Sequence, residues 1–165
     1  MFERFDKRSR TVVVDARSEA VIHADTQLGA EHLLLALARR SEWDAGVVLA
    51  GAGLNHQRLR NAIDADIERT LETVGVSAAA IRIPSSSSRP QKEPRWGASA
   101  KRALERAARA ARDHGDRRIL PTHILIGVLG AAEGTVPRVL TAASVDVDEL
   151  MAAAEAELPR RATSG

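Results

Sequence analysis

The sequence predicts an all-α protein built from two copies of one four-helix repeat, and three observations predict it. Alanine, leucine and arginine dominate while aromatic residues make up only 2% of the chain, a balance that favours helices over strands. Setting the sequence against itself 91 positions along, without a gap, places Phe5 on Trp96, Ala16 on Ala107, Ala20 on Ala111, His23 on His114, Asp25 on Asp116, His32 on His123, Leu49 on Leu140 and Leu59 on Leu150. Apolar falls on apolar through most of the span, the mark of a duplicated unit. Between the copies, Thr73 to Arg95 carries Pro84, the serines Ser85 to Ser88, Pro90 and Pro94, a composition that cannot bury enough apolar surface to offset ordering and so reads as a flexible linker. The double domain spans 1–159, with repeat one at about 5–72, the linker at 73–95, repeat two at about 96–159, and 160–165 as a disordered tail.

Each repeat reads as four helices. The first, about Asp6 to Ala24, has Asp6 as its N-cap and turns Val12 or Val13, Ala16 and Ala20 to one face. The run Val12-Val13-Val14 alone suggests a strand, but its repeat partner Ala103-Leu104-Glu105 is a good helix former and decides for helix. The second helix, Leu33 to Leu37 in one copy and Ile124 to Leu129 in the other, is apolar nearly all round and belongs at the centre of its unit. A short third helix ends near Gly51 or Gly53, where glycine can close it in left-handed geometry. Asn55 and Asp146 stand as N-caps of the fourth, ahead of Leu59, Ile63 and Ile67 in one copy and Leu150 and Leu158 in the other.

Composition also narrows function. There is no cysteine, hence no disulfide framework, thiolate nucleophile or cysteine-bound zinc. No GxSxG elbow, HExxH or GxxxxGK[ST] phosphate loop occurs, so an enzyme is the weakest class and no cofactor is implied. No stretch has the ~18 apolar residues of a membrane span, and the N-terminus lacks the apolar segment of a signal peptide, so a cytoplasmic protein is expected. His23, His32, His114 and His123 recur at equivalent places. Zinc needs three or four converging ligands, so His32 and His123 read as hydrogen-bonded core or turn residues and no metal is expected. The net charge is only +2 despite a pI near 9.6. Arg102, Arg106 and Arg109 nevertheless share one helical face as a candidate anion-binding stripe, which supports the alternative of a basic helical protein binding nucleic acid or another anion.

The opening Met-Phe-Glu-Arg-Phe, the arginine-rich first helix and above all Leu-Gly-Ala-Glu-His-Leu-Leu-Leu-Ala-Leu at 28–37, echoed by Leu-Pro-Thr-His-Ile-Leu-Ile-Gly-Val-Leu at 120–129, resemble the N-terminal domain of the Clp unfoldases, ClpC in particular. The resemblance covers nearly the whole chain. It implies a pseudo-twofold pair of four-helix repeats, here expected as a stand-alone docking domain without the ATPase modules. It further implies a non-catalytic module of the Clp protease system that acts as adaptor, competitor or sequestering sink. The implied partners are Clp unfoldase or protease components, adaptor or substrate proteins, and cyclic-peptide antibiotics.

In that family the glutamate of each repeat's Gly-Thr-Glu-His motif is implicated in recognising phosphoarginine. Only Glu31 matches it here; its counterpart Thr122 stands as the second candidate ligand-binding residue, read alternatively as a helix cap, and the preceding threonine is replaced by Ala30 and Pro121. A carboxylate at a helix start suits a guanidinium, though it is also what the helix dipole favours at that end with no ligand at all. The resemblance also points to an apolar groove near the N-terminus, carried over onto Phe2, Val13 and Val14. Phe5 reads as core. Trp43, facing Gly134 in the other copy, reads either as a surface anchor or as a filler between repeats.

Overall fold

A computed structural model describes residues 2–75 and 92–159. After a short 3-10 turn, Phe2–Arg4, repeat one contributes α1 (Lys7–Ile22), α2 (Ala30–Arg39), α3 (Asp44–Gly51) and α4 (His56–Thr73). Repeat two contributes α5 (Ala98–His114), α6 (Pro121–Leu129), α7 (Thr135–Ala142) and α8 (Val147–Ala156). The heart of the stretch read as a linker, 76–91, and the tail 160–165 lie outside the described residues.

The local signals fold as their chemistry dictates. Asp6 caps α1 by accepting the Ser9 N–H at 2.7 Å, Asn55 caps α4 by accepting that of Arg58 at 2.7 Å, and Asp146 caps α8 by accepting those of Asp148 and Glu149. Val12 and Val13 are buried within α1, so core contact overrides the β preference of the valine run. Leu33 to Leu37 are all buried, as are Ile124, Leu125, Val128 and Leu129, and α2 and α6 form the centre of the molecule. In each repeat the chain leaves two helices through left-handed residues, at equivalent places in the two copies. These are Gly53 and Ser144 after the third helix of each repeat, and Ala24 and Gly115 after the first. Ile67 departs from the expected pattern. It is 44% exposed because Asp66, not Ile67, turns inward from α4.

What joins the repeats is an exchange of their opening segments. Two parallel strands, β1 (Gln27–Leu28) and β2 (Arg95–Trp96), pair with Gln27 opposite Arg95 and Leu28 opposite Trp96. The symmetric partner of this pairing is a bridge between Phe5 and Ile119. Gly97 N–H donates to Leu28 O at 2.9 Å, and Asp6 N–H, its equivalent, donates to Ile119 O at 3.1 Å. The start of each repeat is thus bound to the turn before the second helix of the other, and one continuous core spans both. This corrects the linker reading at its ends: Thr73 closes α4, and Pro94 and Arg95, the latter in β2, help to define the contact rather than merely tethering two units. A side chain crosses as well. Ser99 Oγ of α5 accepts the Ala30 N–H at the start of α2 at 3.0 Å; the position equivalent to Ala30 is Pro121, which has no N–H to satisfy.

Candidate functional site

Glu31 stands at the second position of α2, its side chain 24% exposed, with the carboxylate folded back over Gly29. The turn beneath it is fixed by His32, whose Nδ1 accepts the Gly29 N–H at 2.8 Å. That is the reach-back of a capping box, made by an imidazole instead of a glutamate. With Nδ1 accepting, Nε2 carries the proton and donates to Asp25 Oδ2 at 2.8 Å. Among the described residues no arginine or lysine forms an ion pair with Glu31; His32 Nδ1 lies 3.8 Å from its carboxylate but bears no proton while it accepts the Gly29 N–H. The carboxylate is partly exposed at a helix N-terminus, an arrangement able to take a guanidinium. Arg138 of α7 stands close enough for Glu31 to help hold it protonated, after the stronger effect of its hydrogen bonds to Asp66.

Thr122 occupies the matching place on α6 and is 4% exposed. The cap of α6 is Leu120, not Thr122, so the cap reading is corrected, and Thr122 offers neither a charge nor an open face. Beneath it His123 repeats the arrangement of His32, accepting the Leu120 N–H at 3.0 Å with Nε2 3.1 Å from Asp116 Oδ2. Burial, more than any neighbouring charge, lowers the His123 pKa, and the same holds for His23.

His114, Asp116 and His123 converge as the sequence did not foresee, their ligand atoms within 4.8 Å of one another. A neutral imidazole has one lone pair. That of His123 is used by the Leu120 N–H, and the nitrogen facing Asp116 bears the proton. A metal would have to break the cap of α6, so the set fits a hydrogen-bonded turn and does not fit a metal centre.

Near the N-terminus, Phe2 is 38% exposed and lies edge-on to Phe5, ring centroids 5.1 Å apart, and 5.6 Å from Trp96. Phe5 is buried, and the cluster seals the junction where the repeats exchange segments. Val14 is 64% exposed and lines a groove of about 410 Å³ with Phe5, Lys7, Arg10, Thr11 and Arg118. Val13 does not line it. It points into the core at 8% exposure, which removes it from the candidate site, since the helical period that buries Val12, Val13 and Ala16 turns only Val14 outward. Glu31 is not part of this groove, so the carboxylate and the apolar candidates form two separate surfaces. Arg118 was missed in the sequence because it lies more than a hundred residues from Val14, and only the Phe5–Ile119 bridge brings it there.

Arg102 and Arg109 are exposed on α5, and Arg106, half-buried between them, donates from Nε to Gly127 O at 2.7 Å. Trp43 is half-buried against the core, with the guanidinium of Arg40 5.2 Å and that of Arg8 5.8 Å from its ring centroid. No described helix is long and apolar enough to cross a membrane.

Comparison with known proteins agrees with this geometry. The family described as Clp repeat (R) N-terminal domain matches residues 4–129 and, again, 95–165. The chaperone protein ClpB of Oceanobacillus iheyensis is 26% identical over 172 residues, an alignment taking in 100% of this chain and 19% of that protein. The negative regulator of genetic competence ClpC/MecB of Bacillus subtilis is 29% identical over 149 residues, covering 90% of this chain and 16% of its own length. The chain therefore spans less than a fifth of these curated relatives. Among solved structures, the N-terminal domain of the caseinolytic protease associated chaperone ClpD from Arabidopsis thaliana superposes with a TM-score of 0.71 at 24% identity, covering 96% of this chain and 100% of that one.

Proposed function

The chain belongs to the Clp repeat N-terminal domain family, and from that premise we propose that it is a non-catalytic module that binds protein and peptide ligands of the Clp chaperone–protease system. The observation that carries the reading is Glu31: a partly exposed carboxylate at the start of α2 with no cationic side chain paired to it among the described residues. A phosphoarginine offers that carboxylate a guanidinium and the helix N-terminus a phosphate. The second repeat offers only the closed, uncharged Thr122, so one phosphoarginine site per chain follows. The Val14 groove, with Lys7, Arg10 and Arg118 around it and Phe2 beside Phe5, is the complementary surface for adaptor segments or cyclic peptides. With no phosphate loop in its sequence, the module acts by occupancy, as an adaptor, a competitor or a sink that withdraws ligand by mass action.

Calorimetric titration with free phosphoarginine, an arginine-phosphorylated protein and a ClpC-targeting cyclic peptide tests this directly. The expected result is a stoichiometry of one for at least one ligand, with Glu31→Ala abolishing phosphoarginine binding and Phe2→Ala weakening the cyclic peptide. Two equal phosphoarginine sites, or binding indifferent to both substitutions, would overturn it.

A further inference from the structure

The internal repeat supplies its own template for reading a second surface. In repeat one the space between α1 and α4 is closed by Glu19, which is fully buried. Its Oε1 lies 2.7 Å from His56 Nε2 and 3.4 Å from Arg39 Nη1. In repeat two the positions equivalent to Glu19, Arg39 and His56 are Ala110, Gly130 and Val147. The carboxylate is gone, and a groove of about 540 Å³ is open between α5 and α8, walled by Ile126, Met151 and Leu158.

A cation nevertheless remains. Arg106 crosses over Gly130, where a Cβ would press on its Cδ at 3.0 Å, and it lines the groove beside Ala110 and Arg109. The bond from its Nε to Gly127 O is the one hydrogen bond it makes among the described residues, and Nη2 is shut off from solvent with no acceptor. No described carboxylate forms an ion pair with Arg102, Arg106 or Arg109, although Glu155 and Asp113 stand on the rim. Burial lowers the Arg106 pKa, with Arg102 and Arg109 adding to the effect and Glu105 opposing it.

We propose that this groove binds an acidic segment of a partner polypeptide, a glutamate or aspartate flanked by apolar residues, whose carboxylate gives Arg106 a counter-charge from the place where Glu19 gives one to Arg39 in repeat one. The apolar wall takes the flanking side chains. Rim carboxylates at Asp113 and Glu155 tolerate one inserted carboxylate beside a guanidinium but repel a continuous phosphate backbone, so the observations favour a peptide over a nucleic acid. The inference rests on repeat two alone and stands apart from the Glu31 reading.

The test follows the Arg106 Nε–H resonance of the isotope-labelled full chain during titration with acetyl-Ala-Leu-Glu-Leu-Ala-amide. A saturating shift of that resonance and of the Ile126 methyls is expected. Replacing the peptide's glutamate by glutamine should weaken binding about tenfold or more, the worth of a hydrogen bond to a charged group. Ala110→Glu, which restores the internal carboxylate, should block the peptide. If that variant does not fold, Arg106→Gln serves in its place and should lose binding. Equal binding of the glutamine peptide, unchanged binding by the folded variant, no saturating shift, or tighter competition by single-stranded oligothymidylate at about 0.15 M salt would each overturn the proposal.

Discussion

Asp66, buried on α4 of repeat one, receives Arg138 from α7 of repeat two through three hydrogen bonds, Nε to Oδ1 at 3.0 Å, Nη2 to Oδ2 at 3.1 Å and a longer one from Nε to Oδ2 at 3.4 Å. The pair has no symmetric twin, because the equivalent residues are Glu157 and Val47. It is a clamp between the repeats that the duplication alone would not build. The guanidinium is half-exposed and its Coulombic gain is screened, whereas Asp66 is not. Arg138→Ala should therefore cost about 1–3 kcal/mol, mostly by stranding a buried carboxylate. Asp66→Ala with Arg138→Ala should cost less than the two single changes together. A double-mutant cycle from urea unfolding measures this, and additive losses would show that the two side chains are not coupled.

Ala24 is left-handed, at φ +56°, where the equivalent residue in repeat two is Gly115 at φ +80°. A Cβ in that region costs about 1–2 kcal/mol, while glycine's extra freedom in the unfolded chain costs roughly 0.5–1. Ala24→Gly should therefore stabilise the protein by about 0.5–1 kcal/mol, copying the solution that repeat two already uses. A thermal melt that moves down instead of up would mean that the Ala24 side chain contributes more than its backbone strain costs.

These two sites also mark the limit of what the sequence made legible. Caps at Asp6, Asn55 and Asp146, the central leucines of α2 and the helix at Val12 are set by neighbours within a turn or by the repeat partner, so spacing alone revealed them. The helical period left Val12 or Val13 as the inward residue, and the structure buries both, whereas the family resemblance set Val13 in the surface site. Asp66 carries no local signal of its role, because its partner lies 72 residues on. The same holds for Arg118 beside Val14 and Ser99 above Ala30. Their roles depend on the exchange of opening segments, and no local pattern encodes that exchange.

That exchange predicts that the repeats fold only together. Phe5 is 1% exposed although it precedes α1, and its strand partner Ile119 belongs to the other repeat. Phe5→Ala should cost about 3–5 kcal/mol, as large-to-small core changes do. A fragment ending at Gly75 lacks Ile119, Trp96 and Ser99 at once, leaves α2 uncovered, and should show no cooperative thermal transition by circular dichroism. A fragment that melts cooperatively would mean that each repeat is an independent unit.

His123 sets the pH dependence of this joint core. It is fully buried, accepts the Leu120 N–H, and faces Asp116, His114 and, farther off, Asp6. Its folded pKa lies below the ordinary value of 6.5, with burial as the largest cause, and the same is true of His23 beside Glu19 and Arg60. A group whose folded pKa is depressed binds its proton more readily in the unfolded chain. Unfolded molecules therefore hold more protons in the window that opens near pH 6.5 and extends downward. Stability from these histidines is fully present above that window and is lost as pH falls through it. The melting temperature should drop between about pH 7 and pH 5.5. His123→Asn, which can still accept the Leu120 N–H but does not titrate, should be less stable at neutral pH yet lose less on acidification. If wild type and variant lose stability in parallel, the acid sensitivity arises elsewhere, and the cap of α6 is not its source.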